Sequence, residues 1–186
     1  GGFVEIVGEN STLNAFIGSF QMTGEKIAAS GNIMTLLYGN DITKEESLVI
    51  SFESAFGKSK YGQAVSLFKD CVQLTTAPEL PATTITPYCY YGLFRGCTSL
   101  VIAPKLPATT LAAHCYEFMF NRCTSLVTVP EELPATTLTQ NCYHSMFYGC
   151  TSLEVAPKLP ALEIYSGAYN YMFQICSSLR IAPELP

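Results

Sequence analysis

The residues of this chain most able to do chemistry are eight cysteines and two histidines. Cys71, Cys97, Cys123, Cys150 and Cys176 stand 26, 26, 27 and 26 residues apart. Cys89, Cys115 and Cys142 each precede a tyrosine and lie eight residues before the next member of that row. An even set at regular spacing invites disulfide, metal or nucleophile readings. Pairing across eight residues would join 89 to 97, 115 to 123 and 142 to 150. In the outer units, however, Gln63 and Ala168 replace the upstream partner while Cys71 and Cys176 persist. A cysteine that stays when its mate is gone does not need the mate. Stacked units also hold successive Cβ vectors parallel, which is poor disulfide geometry. Buried free thiols acting as small hydrophobes are therefore expected.

Metal and nucleophile readings are weaker. No C-x2-4-C pair exists, and His114 and His144 occupy different positions of their units. That is not a zinc pattern. His114 adjoins Cys115, but neighbours on a helix do not face each other. A glycan hydrolase would need two unique carboxylates about 5–10 Å apart in one cleft. Most acids fall instead in a repeating row or in the upstream part, as with Glu45, Glu46 and Glu53. No catalytic residue, cofactor or metal ligand is expected.

The text around each cysteine repeats as well: FKDCVQLTTAPELPATT, FRGCTSLVIAPKLPATT, FNRCTSLVTVPEELPATT, FYGCTSLEVAPKLPALE and FQICSSLRIAPELP. Self-similarity at this period marks stacked units, each one coil of a solenoid. In residues 97–122 the inward candidates are Cys97, Leu100, Ala103, Leu106, Leu111, Cys115, Tyr116, Met119 and Phe120. Residues 99–103 and 109–111 read as short extended segments. Pro104 and Pro107 suit the corners between them, because proline lacks the N–H that a ladder needs. Apolar pairs at 115/116 and 119/120 predict about two turns of α- or 3₁₀-helix over residues 112–121.

The same frame runs upstream through Leu48, Leu74, Leu100 and Leu126. Residues 45–70 read as a degenerate first coil, with Glu45 in the cysteine position. Coils at 71–96, 97–122, 123–149 and 150–175 follow, with a partial one at 176–186. Residues 1–44 do not match the repeat and read as a β-rich cap. The Gly1-Gly2 start suggests a trimmed chain. Pro186 falls within a repeat, so the number of coils in the natural array stays open.

Apolar residues make up 48% of the chain and charged residues 13%, which excludes disorder. A net charge of −5 without a basic patch argues against nucleic acid. No apolar stretch approaches a membrane span. After the first proline of each unit come Glu79, Lys105, Glu131 or Glu132, Lys158 and Glu184. Alternating signs on facing rungs read as a surface ladder. Tyr90, Tyr116, Tyr143 and Tyr169 recur and read as a core-edge row rather than a binding platform.

Residues 97–120, CTSLVIAPKLPATTLAAHCYEFMF, and their copies resemble the BspA-type leucine-rich repeats of bacterial surface proteins. The likeness covers about residues 71–186. Residues 27–37, IAASGNIMTLL, resemble what precedes such arrays in proteins of gut anaerobes. The resemblance implies a leucine-rich-repeat-like α/β repeat solenoid: a right-handed coil of ~26-residue units with short strands and short helices. It also implies a secreted or cell-surface protein without catalytic residues, adhering to a host or bacterial protein or to a glycan. A monomer or weak oligomer is expected. The alternative is a structural spacer holding another domain off the cell.

Repetition preserves scaffold, so recognition is expected in the rows that vary. Tyr91, Glu117, His144 and Asn170 form one such row, and Arg95, Asn121, Tyr148 and Gln174 another. Both are expected to face outward.

Overall fold

A computed structural model describes residues 26–30 and 66–186. Most of the expected cap and most of the degenerate coil, including Glu45, Leu48, Glu53 and Gln63, lie outside the described residues. Within them, β1 (Ile27–Ala28) pairs in parallel with β2 (Leu74–Thr76). Thr76 bridges Ile102 on its other side, again in parallel. Residues 27–28 thus lie on the side of β2 opposite Ile102.

Downstream, each unit lies on the next through parallel bridges. Parallel bridges join Ile102 to Thr128, Thr84 to Thr110, Thr137 to Glu163 and Val155 to Ile181. Leu74, Leu100, Leu126 and Leu153 superpose in sequence and are all fully buried. The nine inward candidates of residues 97–122 are buried without exception. Two aromatic columns run through the core. Phe68, Phe94, Phe120, Phe147 and Phe173 stack with centroids 5.5, 5.6, 5.6 and 5.7 Å apart. Tyr90, Tyr116, Tyr143 and Tyr169 stack at 5.7, 5.7 and 6.0 Å. The first three tyrosines are fully buried, so this row packs the core and offers no platform to a ligand.

The predicted helix at 112–121 is absent, and no helix occurs among the described residues. A run of overlapping turns replaces it. In residues 86–97 the odd-numbered amides bond back three residues: Cys89 to Thr86, Tyr91 to Tyr88, Leu93 to Tyr90, Arg95 to Gly92 and Cys97 to Phe94. The even-numbered amides cross to the next coil: Tyr88 to Ala113, Tyr90 to Cys115, Gly92 to Glu117, Phe94 to Met119 and Gly96 to Asn121, at 2.8–3.2 Å. Every fourth residue takes positive φ, as at Tyr88, Gly92 and Gly96, then His114, Phe118 and Arg122. A positive φ before the closing residue of such a turn is the type II arrangement. The apolar pairs recur every four residues because the turns do. A four-residue period is close enough to the helical 3.6 to be mistaken for it.

The cysteines complete this framework. All eight carry free thiols, and all but Cys176 are buried. The Sγ–H groups of Cys97, Cys123, Cys150 and Cys176 donate to the carbonyls of Phe68, Phe94, Phe120 and Phe147 at 3.0, 3.0, 3.2 and 3.0 Å. Each thiol therefore ties its coil to the one before. In the other row Cys115 reaches Cys142 O only at 3.9 Å.

Candidate ligand face

The run of turns places each variable row at its own register of successive coils. Glu117 is the centre of what they build. His114 Nδ1 meets its Oε2 at 2.5 Å, and His144 Nδ1 lies 3.3 Å from its Oε1. His114 reaches it across overlapping turns, three residues back. His144 reaches it from the next coil, at an angle that makes an electrostatic contact without an aligned hydrogen bond. Glu117 is only 8% exposed, because the two imidazoles cover it.

Aromatic rings surround this carboxylate. Tyr88 stacks flat on His114, at 4.6 Å between centroids. Tyr91, Phe118, His144 and Tyr171 form a chain of edge-to-face contacts at 5.6, 5.3 and 5.7 Å. Such contacts favour ring edges over ring faces and fix the orientation of each ring. The chain zigzags because its members alternate between two adjacent turn positions in successive coils. The Arg95 guanidinium lies 5.4 Å from the Phe118 centroid, in cation–π range. Burial, and then the Glu117 charge, raise the Tyr91 phenol above its ordinary range.

The two expected rows fare differently. Tyr91, Glu117 and His144 are brought together, with Tyr91 and His144 half-buried. Asn170 is exposed, and its side chain makes no hydrogen bond to any of them. Of the second row only Arg95 joins the cluster, through Phe118. Tyr148 is half-buried and Gln174 exposed, both apart from it. Two outward placements are corrected: Glu117 lies beneath its histidines, and Asn121 is 5% exposed, at the register where Arg95 and Tyr148 flank it from the neighbouring coils. Four contributors escaped the sequence reading: Tyr88, His114, Phe118 and Tyr171. The available signals were the H-x-x-E spacing at 114–117 and the aromatic residues at 118 and 171, where the sister position carries Gly92.

Chemically the cluster is a recessed carboxylate, hydrogen-bonded to one imidazole and in electrostatic contact with a second, beneath a rim of rings. His114 Nδ1 is committed to Glu117, not to Cys115. Burial, followed by the charges of Cys89 and Cys142, raises the Cys115 thiol far above the ordinary range, so no thiolate forms beside it. No cluster of metal-ligating side chains occurs among the described residues. No described helix is long and apolar enough to cross a membrane. No family model, no curated protein and no solved structure matches this chain.

Proposed function

We propose that the chain is a non-enzymatic recognition module, a repeat solenoid that adheres at the bacterial cell surface through the ring-rimmed carboxylate of its turn face. The observation that carries the reading is the concentration of Tyr88, Tyr91, Phe118, His144 and Tyr171 around Glu117, in positions the repeat leaves variable. Rings with apolar faces and polar tips, beside a hydrogen-bond acceptor, suit a sugar or a protein loop equally. The resemblance to BspA-type repeats supports the surface location and the absence of a reaction. The stacking interval, nearly uniform in both aromatic columns, favours the spacer as the second reading, since it would make a stiff rod.

A glycan array and a panel of host matrix proteins separate the two readings. Recognition predicts a ligand whose binding falls about tenfold with Tyr171→Ala or Glu117→Gln. Tyr171 is 57% exposed, so its loss leaves the fold intact. Binding that survives both changes would refute the turn face as the site, and a complete absence of ligands would favour the spacer.

A further inference from the structure

Counting the coils from residue 71, the third, at 123–149, carries one residue more than its neighbours. Residues 127–137 read VTVPEELPATT, against VIAPKLPATT at 101–110 and EVAPKLPALE at 154–163. The hydrogen bonds between coils record the consequence. Between the second and third coils, the amides of Val127 and Thr128 donate to Val101 O, and Ala103 donates to Thr128 O. Between the fourth and fifth, Arg180 and Ile181 donate to Glu154 O, and Ala156 donates to Ile181 O. Between the third and fourth, none of the three equivalent bonds forms. Among the described residues, no bridge and no backbone hydrogen bond joins 127–130 to 154–157. The N–H groups of Val129, Glu154 and Val155, and the carbonyls of Val127 and Val155, are left out of the ladder. Pairing resumes only past the insertion, where Lys158 donates to Glu131 O and Leu133 to Lys158 O.

The interruption is local. Phe120 and Phe147 stack at 5.6 Å, and Tyr116 and Tyr143 at 5.7 Å, across the same interface. Leu126 and Leu153 stay fully buried. The coils therefore keep normal contact in the core and part only at this surface. A groove of about 290 Å³ opens there, lined by Val127, Val129 and Val155 on its flanks and by Glu131, Lys158 and Glu184 at one end. Lys158 is engaged with Glu131 at 3.3 Å, so two carboxylates stand against one ammonium.

We propose that this groove receives an extended peptide segment of a partner protein that carries a basic side chain. The unpaired backbone donors and acceptors of Val127, Val129 and Val155, which line the groove, call for partners that another backbone can supply at its mouth. The valines accept alternate β-branched or aliphatic side chains. The carboxylate excess selects the cation. The site shares no residue with the turn face, so either can fail without the other.

Linear random peptides displayed on phage and selected on the whole chain supply the probe. The expected winners alternate aliphatic residues and include Lys or Arg. N-methylation of alternate amides in the winning peptide should weaken binding about tenfold in one frame and leave it unchanged in the other. Deleting Glu132 restores the 26-residue step and should abolish binding. Val155→Arg, at an exposed position, should do the same and decides the matter if the deletion does not fold. In the free chain, the amides of Val129, Glu154 and Val155 should exchange with solvent faster than those of Ala103, Thr128 and Ile181, and the peptide should slow them. The proposal fails if no peptide is enriched, if N-methylation in both frames is harmless, or if binding survives in a folded variant.

Discussion

In residues 86–97 every second amide crosses to the next coil, and the same register returns at 112–123 and 139–150. In residues 101–110 and their copies, contact between coils is reduced to isolated bridges, and between 127–130 and 154–157 even these are missing. The turn segment buries aromatic columns and thiols, whereas the bridge segment exposes Ile102, Val127, Val155 and Ile181. A residue inserted in the first would shift columns of rings out of contact. The single extra residue stands in the second, where it costs three hydrogen bonds and leaves the core alone. Tolerance of insertion thus follows from how much side-chain packing depends on register.

If the turn segment holds the molecule together, attack on it should unfold everything. Alkali makes the largest test, because all eight cysteines lie in or beside the turns. Burial, helped by the Asp70 charge, raises the Cys71 thiol from 9.0 to about 11, and the deeper thiols rise further. A raised folded value means that stability is complete below about pH 9. It is lost as the pH climbs toward the folded value, since only the unfolded chain ionises there. Urea midpoints should hold from pH 7 to 8.5 and fall steeply by pH 11. A flat profile would separate the thiols from the fold.

Phe120→Ala should cost about 3–5 kcal/mol by removing the middle ring of a column. Val155→Ala on the bridge segment should cost under about 0.5 kcal/mol. Equal losses in urea unfolding would erase the contrast. Gly96→Ala should cost about 1–3 kcal/mol, because φ is +75° and the new Cβ would strike the Asp70 carboxylate. Arg122→Gly, in the same row at φ +62°, should stabilise by about 1 kcal/mol. The finest distinction lies within the cysteines. Cys123→Val leaves the Phe94 carbonyl without its thiol donor, and Cys115→Val removes no short bond. The first should be the more destabilising by about 1 kcal/mol in thermal melts.

The period, the inward residues and the free thiols were legible because packing repeats in the sequence whenever it repeats in space. The alternating charged row was legible in part. Lys158 meets Glu131, and their contact raises the Lys158 ammonium above its ordinary value. Glu79 and Lys105 make no ion pair among the described residues. Apolar spacing alone does not separate a four-residue turn repeat from a helix, which is why residues 112–121 read as helical in sequence. Glycines at 92, 96, 149 and 167 held the missing information, since left-handed backbone favours glycine. Glu117 and His144 were grouped from the sequence because they share a row. The bond from His114 to Glu117 crosses overlapping turns rather than a helix face, so the H-x-x-E spacing at 114–117 points to it only once the turns are known.

The thiol-to-carbonyl bonds have one more consequence. Cross-linking by disulfides would make correct assembly depend on an oxidant and on isomerisation of wrong pairs. Here the sulfur atoms couple neighbouring coils while staying reduced and un-ionised, out of reach of the exchange chemistry that needs a thiolate. Once the coils have closed, the native contacts call for no oxidant, and the buried thiols are shielded from exchange.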